Sequence, residues 1–198
     1  KNITAGAASA GPGTANAISV VGKEVDASIN NNVIDTVAVA GINLRNTKEV
    51  NVDGNTISNT GHNSITIQNN SADGDVAITN NVMSNWGTEG EGRAVRSAGG
   101  DNVVISGNAM IHTNAPEEFA KVTGNTDVYA AENYWNGTSP IQEGIFLSEH
   151  EGDPVDVLQN YYAAYVNDEL TTLVELSHAV AKIGDKLFYA LDPAVRAA

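Results

Sequence analysis

The sequence predicts an all-β protein folded as a parallel β-helix, a single-stranded solenoid of about five coils. The first observation is a pattern, apolar-x-apolar-x-x-Asn-x-apolar, that occurs five times. The second is its regular spacing, and the third is a second set of short alternating segments between the copies. Helical repeats need apolar residues three and four apart over longer stretches, and a propeller blade needs about 40 residues, so stacked β-coils fit best.

The five copies cover residues 27–34, 50–57, 76–83, 103–110 and 128–135. Their asparagines are 23, 26, 27 and 25 residues apart: Asn32, Asn55, Asn81, Asn108 and Asn133. Alternating segments near residues 18–20, 42–44, 64–67, 93–95 and 119–122 lie between them. Each coil therefore holds at least two short strands whose Val, Ile and Met side chains point inward.

The repeated asparagine has a structural explanation. At a sharp corner between strands, Asn tolerates a left-handed backbone, and its amide can hydrogen-bond to the Asn of the coils above and below. We therefore expect these five residues to form an asparagine ladder rather than a catalytic group.

The last copy continues as Glu132-Asn133-Tyr134-Trp135-Asn136-Gly137, which is similar to the Asn-Tyr-Trp-Gly sequence closing many right-handed parallel β-helix domains. Residues 15–140 thus resemble the right-handed, pectate-lyase-like β-helix family. The resemblance implies the fold strongly and the activity weakly.

Residues 141–198 carry a second resemblance. Ala181-Lys182-Ile183-Gly184 followed by Leu191-Asp192-Pro193-Ala194 resembles joints between tandem β-helix units in large surface proteins of gut-type Gram-positive bacteria. Asp192 and Pro193 suit the first positions of a short helix. The sequence therefore predicts a repeat domain over 1–140 and a C-terminal cap and linker over 141–198, with the start of a following repeat unit as the alternative for the second segment.

Charge and composition narrow the function classes. The 198 residues carry 10 Lys and Arg against 24 Asp and Glu, a net charge of −14, and no Cys. We expect neither nucleic-acid nor membrane partners, because the cations are few and dispersed and no apolar run is long enough to span a bilayer. Without Cys there is no disulfide or thiol catalysis.

The sequence presents no catalytic constellation. Asp26, Asn51, Ala77, Val104 and Tyr129 are taken as equivalent positions, as are Ser28, Asp53, Thr79, Ser106 and Ala131, and neither column concentrates carboxylates. Arg45, Arg93 and Arg96 are interpreted as solvated surface charges. His62, His112, His150 and His178 lack metal-ligand spacing, so no metal site is expected.

One insertion interrupts the repeat. Trp86-Gly87-Thr88-Glu89-Gly90-Glu91-Gly92-Arg93 places an aromatic, two carboxylates and a cation on a glycine-rich loop. Trp86 could stack on a sugar while Glu89 and Glu91 bind calcium or hydroxyls, with Arg93 beside them. The favoured interpretation is a corner insertion with Trp86 packed on the coil. A carbohydrate-binding role requires the Trp86 ring to face solvent.

These observations predict a non-enzymatic module of an extracellular bacterial surface protein, acting as a rigid spacer or adhesion unit without a required cofactor. Its expected partners are neighbouring modules of the same polypeptide, and glycans or host surface proteins. Two alternatives stay open: a fragment of a polysaccharide lyase or hydrolase, and a carbohydrate-binding module that uses the Trp86 loop.

Overall fold

The chain is an all-β parallel β-solenoid of about four turns in a computed structural model, which confirms the predicted fold class. The structure describes residues 2–4, 15–71, 73–114, 118–123, 127–137, 146–149, 158–159, 164–165, 167–174, 181–183 and 186–188. Within these residues every regular element is a strand, and none is a helix suited to crossing a membrane. The helix predicted from Asp192 lies outside the described residues.

Twenty strands make up the described fold. They are β1 (Asn2–Thr4), β2 (Ile18–Asn30), β3 (Val33–Val37), β4 (Ile42–Asp53), β5 (Thr56–Thr60), β6 (Ile65–Asn70), β7 (Val76–Thr79), β8 (Val82–Ser84), β9 (Val95–Gly99), β10 (Asn102–Ser106), β11 (Ala109–Ile111), β12 (Ala120–Thr123), β13 (Asp127–Ala131), β14 (Asn133–Trp135), β15 (Phe146–Glu149), β16 (Leu158–Gln159), β17 (Ala164–Tyr165), β18 (Leu173–Val174), β19 (Ala181–Ile183) and β20 (Lys186–Phe188).

Three parallel walls surround the core, and each complete rung contributes one strand segment to each wall. Because β2 and β4 run through two walls, the walls called sheets 1 and 2 here are the two halves of one ten-stranded sheet. Sheet 1 stacks residues 18–21 of β2, 42–45 of β4, and then β6, β9, β12 and β15. Sheet 2 stacks residues 27–30 and 50–53, and then β7, β10, β13 and β16. Sheet 3 stacks β1, β3, β5, β8, β11, β14 and β17. Five complete rungs, at residues 18–37, 42–60, 65–84, 95–111 and 120–135, enclose about four turns.

Alternation along each strand builds the core. In sheet 3 one inward column consists of side chains paired rung by rung: Ile34, Ile57, Met83, Met110 and Trp135. Every one of them is at most 1% exposed. Because side chains point alternately in and out of a strand, the same pattern leaves the neighbouring positions on the outer surface.

A left-handed corner separates sheet 2 from sheet 3. The residue with positive φ is the one before each ladder asparagine: Asn31, Gly54, Asn80, Gly107 and Glu132, with φ between 54° and 68°. The expectation that the ladder asparagines themselves adopt this conformation is therefore wrong. From Asn55 to Asn133 each ladder residue is buried in the stack, while its predecessor makes the bend.

The five ladder asparagines form one continuous column of hydrogen bonds. The backbone N–H and the Nδ2 of Asn55 both donate to Oδ1 of Asn81, at 2.9 Å, and Nδ2 also donates to the carbonyl of Ile29 at 2.8 Å. The same double donation joins Asn32 to Asn55, Asn81 to Asn108, and Asn108 to Asn133. Asn55, Asn81, Asn108 and Asn133 are buried, so the column satisfies backbone groups that water does not reach.

The two ends of the stack differ. At the C-terminal end β15, β16 and β17 add parallel partners beyond the fifth rung, and β18 then pairs antiparallel with β17. The ladder stops there because Ala164 pairs with Asn133 and has no amide side chain. At the other end, β1 pairs with β3, whereas the described residues include no outer partner for β2.

Candidate functional site

A groove of about 510 Å³ crosses the outer face of sheet 1. Its floor consists of outward positions on adjacent strands. Asn43 pairs with Thr66, and Thr66 pairs with Arg96. Arg45, which is two residues after Asn43 on the same strand, pairs with Gln68. The inward neighbours Ile42, Leu44, Ile65 and Ile67 are fully buried, which fixes the outward direction of the floor residues. We call this cavity the arginine groove.

The Trp86 insertion forms one wall of the arginine groove. Its backbone is bonded to the previous rung: Gly87 N–H donates to the His62 carbonyl at 2.8 Å, and Glu89 N–H donates to the Gly61 carbonyl at 3.0 Å. Arg93 N–H donates to Asn63 Oδ1 at 2.9 Å. The insertion is thus an ordered widening of a corner.

Three arginines line the arginine groove, and they differ in whether the guanidinium group is ion-paired. Arg93 is half-buried and forms an ion pair with Glu118, which neutralises its charge. Arg45 and Arg96 are exposed, and neither has an ion-pair partner among the described residues. The interpretation of all three as separate solvated charges missed this convergence.

The Trp86 ring packs in the core rather than facing solvent. It is 1% exposed and meets Phe119 and His112 edge-on, with ring centroids 5.2 and 4.9 Å apart. His112 Nε2 donates to the Trp86 carbonyl at 2.8 Å, while its Nδ1 accepts from Asn114 N–H. The ring therefore offers no exposed platform for a sugar. The carbohydrate-binding alternative required the Trp86 ring to face solvent, and this condition is not met.

A second cavity of about 310 Å³ adjoins the arginine groove at the insertion. Trp86, Glu91 and Arg93 line it together with His112 and Glu118. Glu91 and Arg93 also line the arginine groove, whereas Glu89 lines neither cavity. Of the insertion residues considered from the sequence, Glu91 and Arg93 therefore line both cavities.

The carboxylate columns differ from those expected. Ser28 pairs with Asn51 and Asn30 with Asp53, so the equivalences of Asp26 with Asn51 and of Ser28 with Asp53 are wrong. The 23-residue offset between Asn32 and Asn55 fixes this register. Asp26, Glu49 and Asp75 instead follow one another, since Glu49 N–H donates to Asp26 at 3.4 Å and Asp75 N–H to Glu49 at 3.3 Å.

These three carboxylates are exposed and line neither cavity. In the described part of the chain, no group of three or more His, Asp or Glu side chains is arranged to hold a metal ion. His62 bonds through Nδ1 to the Glu91 carbonyl at 3.0 Å, so its role in the described fold is to tie the insertion to the stack. His150 and His178 lie outside the described residues.

Two other surface carboxylates are held by hydrogen bonds between rungs. Asp53 accepts from Thr79 Oγ1 at 2.7 Å and from Asn80 Nδ2 at 2.8 Å, and these bonds keep its pKa below the ordinary 3.8. Asp35 accepts from Ser58 and Asn59, with the same effect on its pKa. Both groups stabilise the stack from outside.

Comparison of the chain with protein-family models, curated proteins and solved structures finds no match. The class of the protein is therefore defined by its fold, a parallel β-solenoid with a polar groove on one wall.

Proposed function

We propose that this chain is a non-enzymatic module of a bacterial cell-surface protein, serving as a rigid spacer or adhesion unit outside the cell. In this proposal the solenoid is a right-handed member of the pectate-lyase-like group, and its immediate partners are neighbouring modules of the same polypeptide. The motif resemblances at residues 132–140 and 181–194 support this assignment.

The observation that carries the proposal is the unbroken pairing through the stack. Each of the five rungs is bonded to the next on three walls, and the asparagine column adds a buried fourth connection. In a solenoid of this kind each repeat contacts only its neighbours, so a continuous ladder transmits load from one end to the other. Such a stack suits a spacer.

The asymmetry of the ends supports stacking with a neighbour at the β2 end. Ile18, Val20 and Ile29 are only partly buried there, in contrast to their fully buried equivalents in the second rung. Oδ1 of Asn32 accepts no hydrogen bond from the described residues, although Oδ1 of the next four ladder residues accepts two each. A further rung with Asn at this position would continue the column.

The chemistry of the arginine groove favours binding over hydrolysis. Inverting and retaining glycosidases both use two carboxyl groups across the scissile bond. Glu91 is the acidic residue that lines the arginine groove, and the nearby Glu118 is engaged by Arg93. The net charge of −14 also favours a soluble, self-repelling surface array.

Spin-label distances test the spacer function directly. Ser28 and Tyr129 lie in one outward column, four rung intervals apart, and the chain has no native Cys. Labels on the S28C/Y129C variant should give one narrow distance distribution centred near the four-interval length of about 19 Å. A broad distribution would show that the stack bends, and would overturn the spacer proposal.

A matched pair gives the control. Val104 occupies the same column one rung earlier, so the S28C/V104C distance should be shorter by one interval, about 4.8 Å. The enzymatic alternative is tested separately by incubating the unlabelled chain with polysaccharides and measuring new reducing ends and unsaturated products. Sustained turnover would replace the proposed function with a lyase or hydrolase.

A further inference from the structure

We propose that the arginine groove is a binding site for an anionic glycan, in which Arg45 and Arg96 each engage a carboxylate or sulfate ester. The site lies on sheet 1 and does not use the Trp86 ring. The inference deepens the adhesive part of the proposed function and rests on it for its biological role.

Charge segregation is the first argument. Between residues 15 and 137 the chain has 14 acidic residues and 6 Lys and Arg, counted on the same residues. Three of the six cations line the arginine groove, against Glu91 alone of the acidic residues. A positive cleft on a strongly negative molecule concentrates anions locally and directs them away from the rest of the surface.

The guanidinium groups of Arg45 and Arg96, which form no ion pair with the described residues, supply the second argument. Arg45 lies on the second rung and Arg96 on the fourth, so their backbones are about 10 Å apart along the stack. A guanidinium presents a planar fork of donors that matches a carboxylate or sulfate in a bidentate manner. Two such forks on a rigid wall suit a polymer with regularly spaced charges.

The remaining lining distinguishes a glycan from other anions. Asn43, Thr66 and Gln68 offer amide and hydroxyl groups suited to sugar hydroxyls. The lining contains no Phe, Tyr or Trp on which nucleic-acid bases could stack, and the His62 ring in it is held by its Nδ1 bond to the Glu91 carbonyl.

Binding to chemically matched polymers tests the proposal. The probes are dextran sulfate, carboxymethyl dextran and uncharged dextran, which share one backbone and differ in the charged group. At low salt the chain should bind at least one charged polymer and not the uncharged one. The R45Q/R96Q variant should bind that polymer about tenfold or more weakly, because both forks are lost.

The K23Q/K48Q variant is the matched control. It removes two cations outside the arginine groove and changes the net charge equally, so its affinity should stay close to that of the parent chain. Equal losses in the two variants would show diffuse electrostatic attraction and overturn the site. Absence of binding to both charged polymers, or equal binding to uncharged dextran, would also overturn it.

Two measurements distinguish a loss of glycan binding from a loss of folding and from a failure of the spacer function. Arg45 and Arg96 are exposed, so the unfolding midpoint of R45Q/R96Q should match that of the parent chain. The S28C/Y129C distance distribution should also be unchanged in the R45Q/R96Q background. A narrow distribution with no glycan binding would leave the spacer function standing and reject the groove as its adhesive site.

Discussion

Asn80 and Gly107 occupy the same corner of adjacent rungs, and Oδ1 of Asn80 lies 2.7 Å from the position that a Cβ of Gly107 would take. Asn31 and Gly54 repeat this relationship two rungs earlier, also at 2.7 Å. Both glycines have positive φ. Along these four rungs the corner position therefore alternates between Asn, whose amide extends towards the next rung, and Gly, which has no side chain.

This alternation predicts coupling between the two positions. G107A should be destabilising by about 1–2 kcal/mol from the left-handed backbone alone, and by more because of the Asn80 contact. In a double-mutant cycle with N80G, the coupling energy from denaturant unfolding should be about 0.5–3 kcal/mol.

Gly137 provides the control for this cycle. It has φ of 72° but its added Cβ would meet nothing nearer than 3.9 Å, so G137A should show the backbone cost without the contact. Zero coupling between N80G and G107A would mean that the corner relaxes and that the alternation is not required.

The centre of the asparagine column should be more sensitive than its first member. N81A removes the acceptor for two donors of Asn55 and two donors to other rungs, and should lower the free energy of unfolding by about 2–4 kcal/mol. Asn32 is partly exposed and its Oδ1 accepts no hydrogen bond from the part of the chain that the structure describes, so N32A should cost less. Chemical denaturation compares the two, and an equal loss would contradict the ladder as a buried support.

Acid should weaken the stack through its surface carboxylates. The pKa values of Asp35 and Asp53 are below 3.8 in the folded state because Ser58 and Thr79, respectively, donate to them. Their stabilisation is therefore present above the unfolded pKa and is lost as the pH falls through the folded pKa. The D35N/D53N variant should lose less stability than the parent chain between about pH 5 and pH 2, as measured by urea midpoints.

A partner variant checks the cause. T79V keeps the Asp53 carboxylate but removes its leading donor, so it should also flatten the acid dependence. Parallel stability curves for the parent, D35N/D53N and T79V chains would exclude these bonds as the source of acid sensitivity.

Fluorescence should report the burial of Trp86. The chain contains two Trp residues, so W135F leaves Trp86 as the sole indole fluorophore. Its emission should be blue-shifted and resist acrylamide, because the ring is 1% exposed. Quenching as strong as that of free tryptophan would contradict this placement and restore the Trp86 loop as a sugar platform.

Substitution at the same site measures the packing. W86A should lower the free energy of unfolding by about 3–5 kcal/mol through loss of the contacts with His112 and Phe119. W86F should cost less, since Trp86 Nε1 makes no hydrogen bond to the described residues that the change could remove.

The repeat made the fold predictable because every rung is built from the same local sequence pattern. The Asn spacing and the two-residue alternation specify corners, walls and core without any long-range information. The identity of the left-handed residue was not evident, because Asn31, Gly54 and Glu132 share a backbone conformation but no side-chain type.

The arginine groove was harder to anticipate. Arg45 and Arg96 are 51 residues apart, and the insertion before Arg93 obscures how the fourth rung aligns with the third. Thr66 and Arg96 are 30 residues apart, whereas the ladder asparagines of the same rungs, Asn81 and Asn108, are 27 apart, so extending the ladder spacing would have placed Arg93 beside Thr66. Trp86 was ambiguous because a glycine-rich insertion can leave the stack or, as here, bond back to it through residues 61–63.

The one-way donation along the asparagine column makes each rung an interchangeable unit. Every internal ladder residue gives its predecessor the same acceptor that it receives from its successor. A gene duplication or deletion of one whole period would therefore leave no hydrogen bond of the column broken, whereas a shift of a few residues would disrupt it. A change in length by whole coils is therefore compatible with the column, which ends where Ala164 pairs with Asn133.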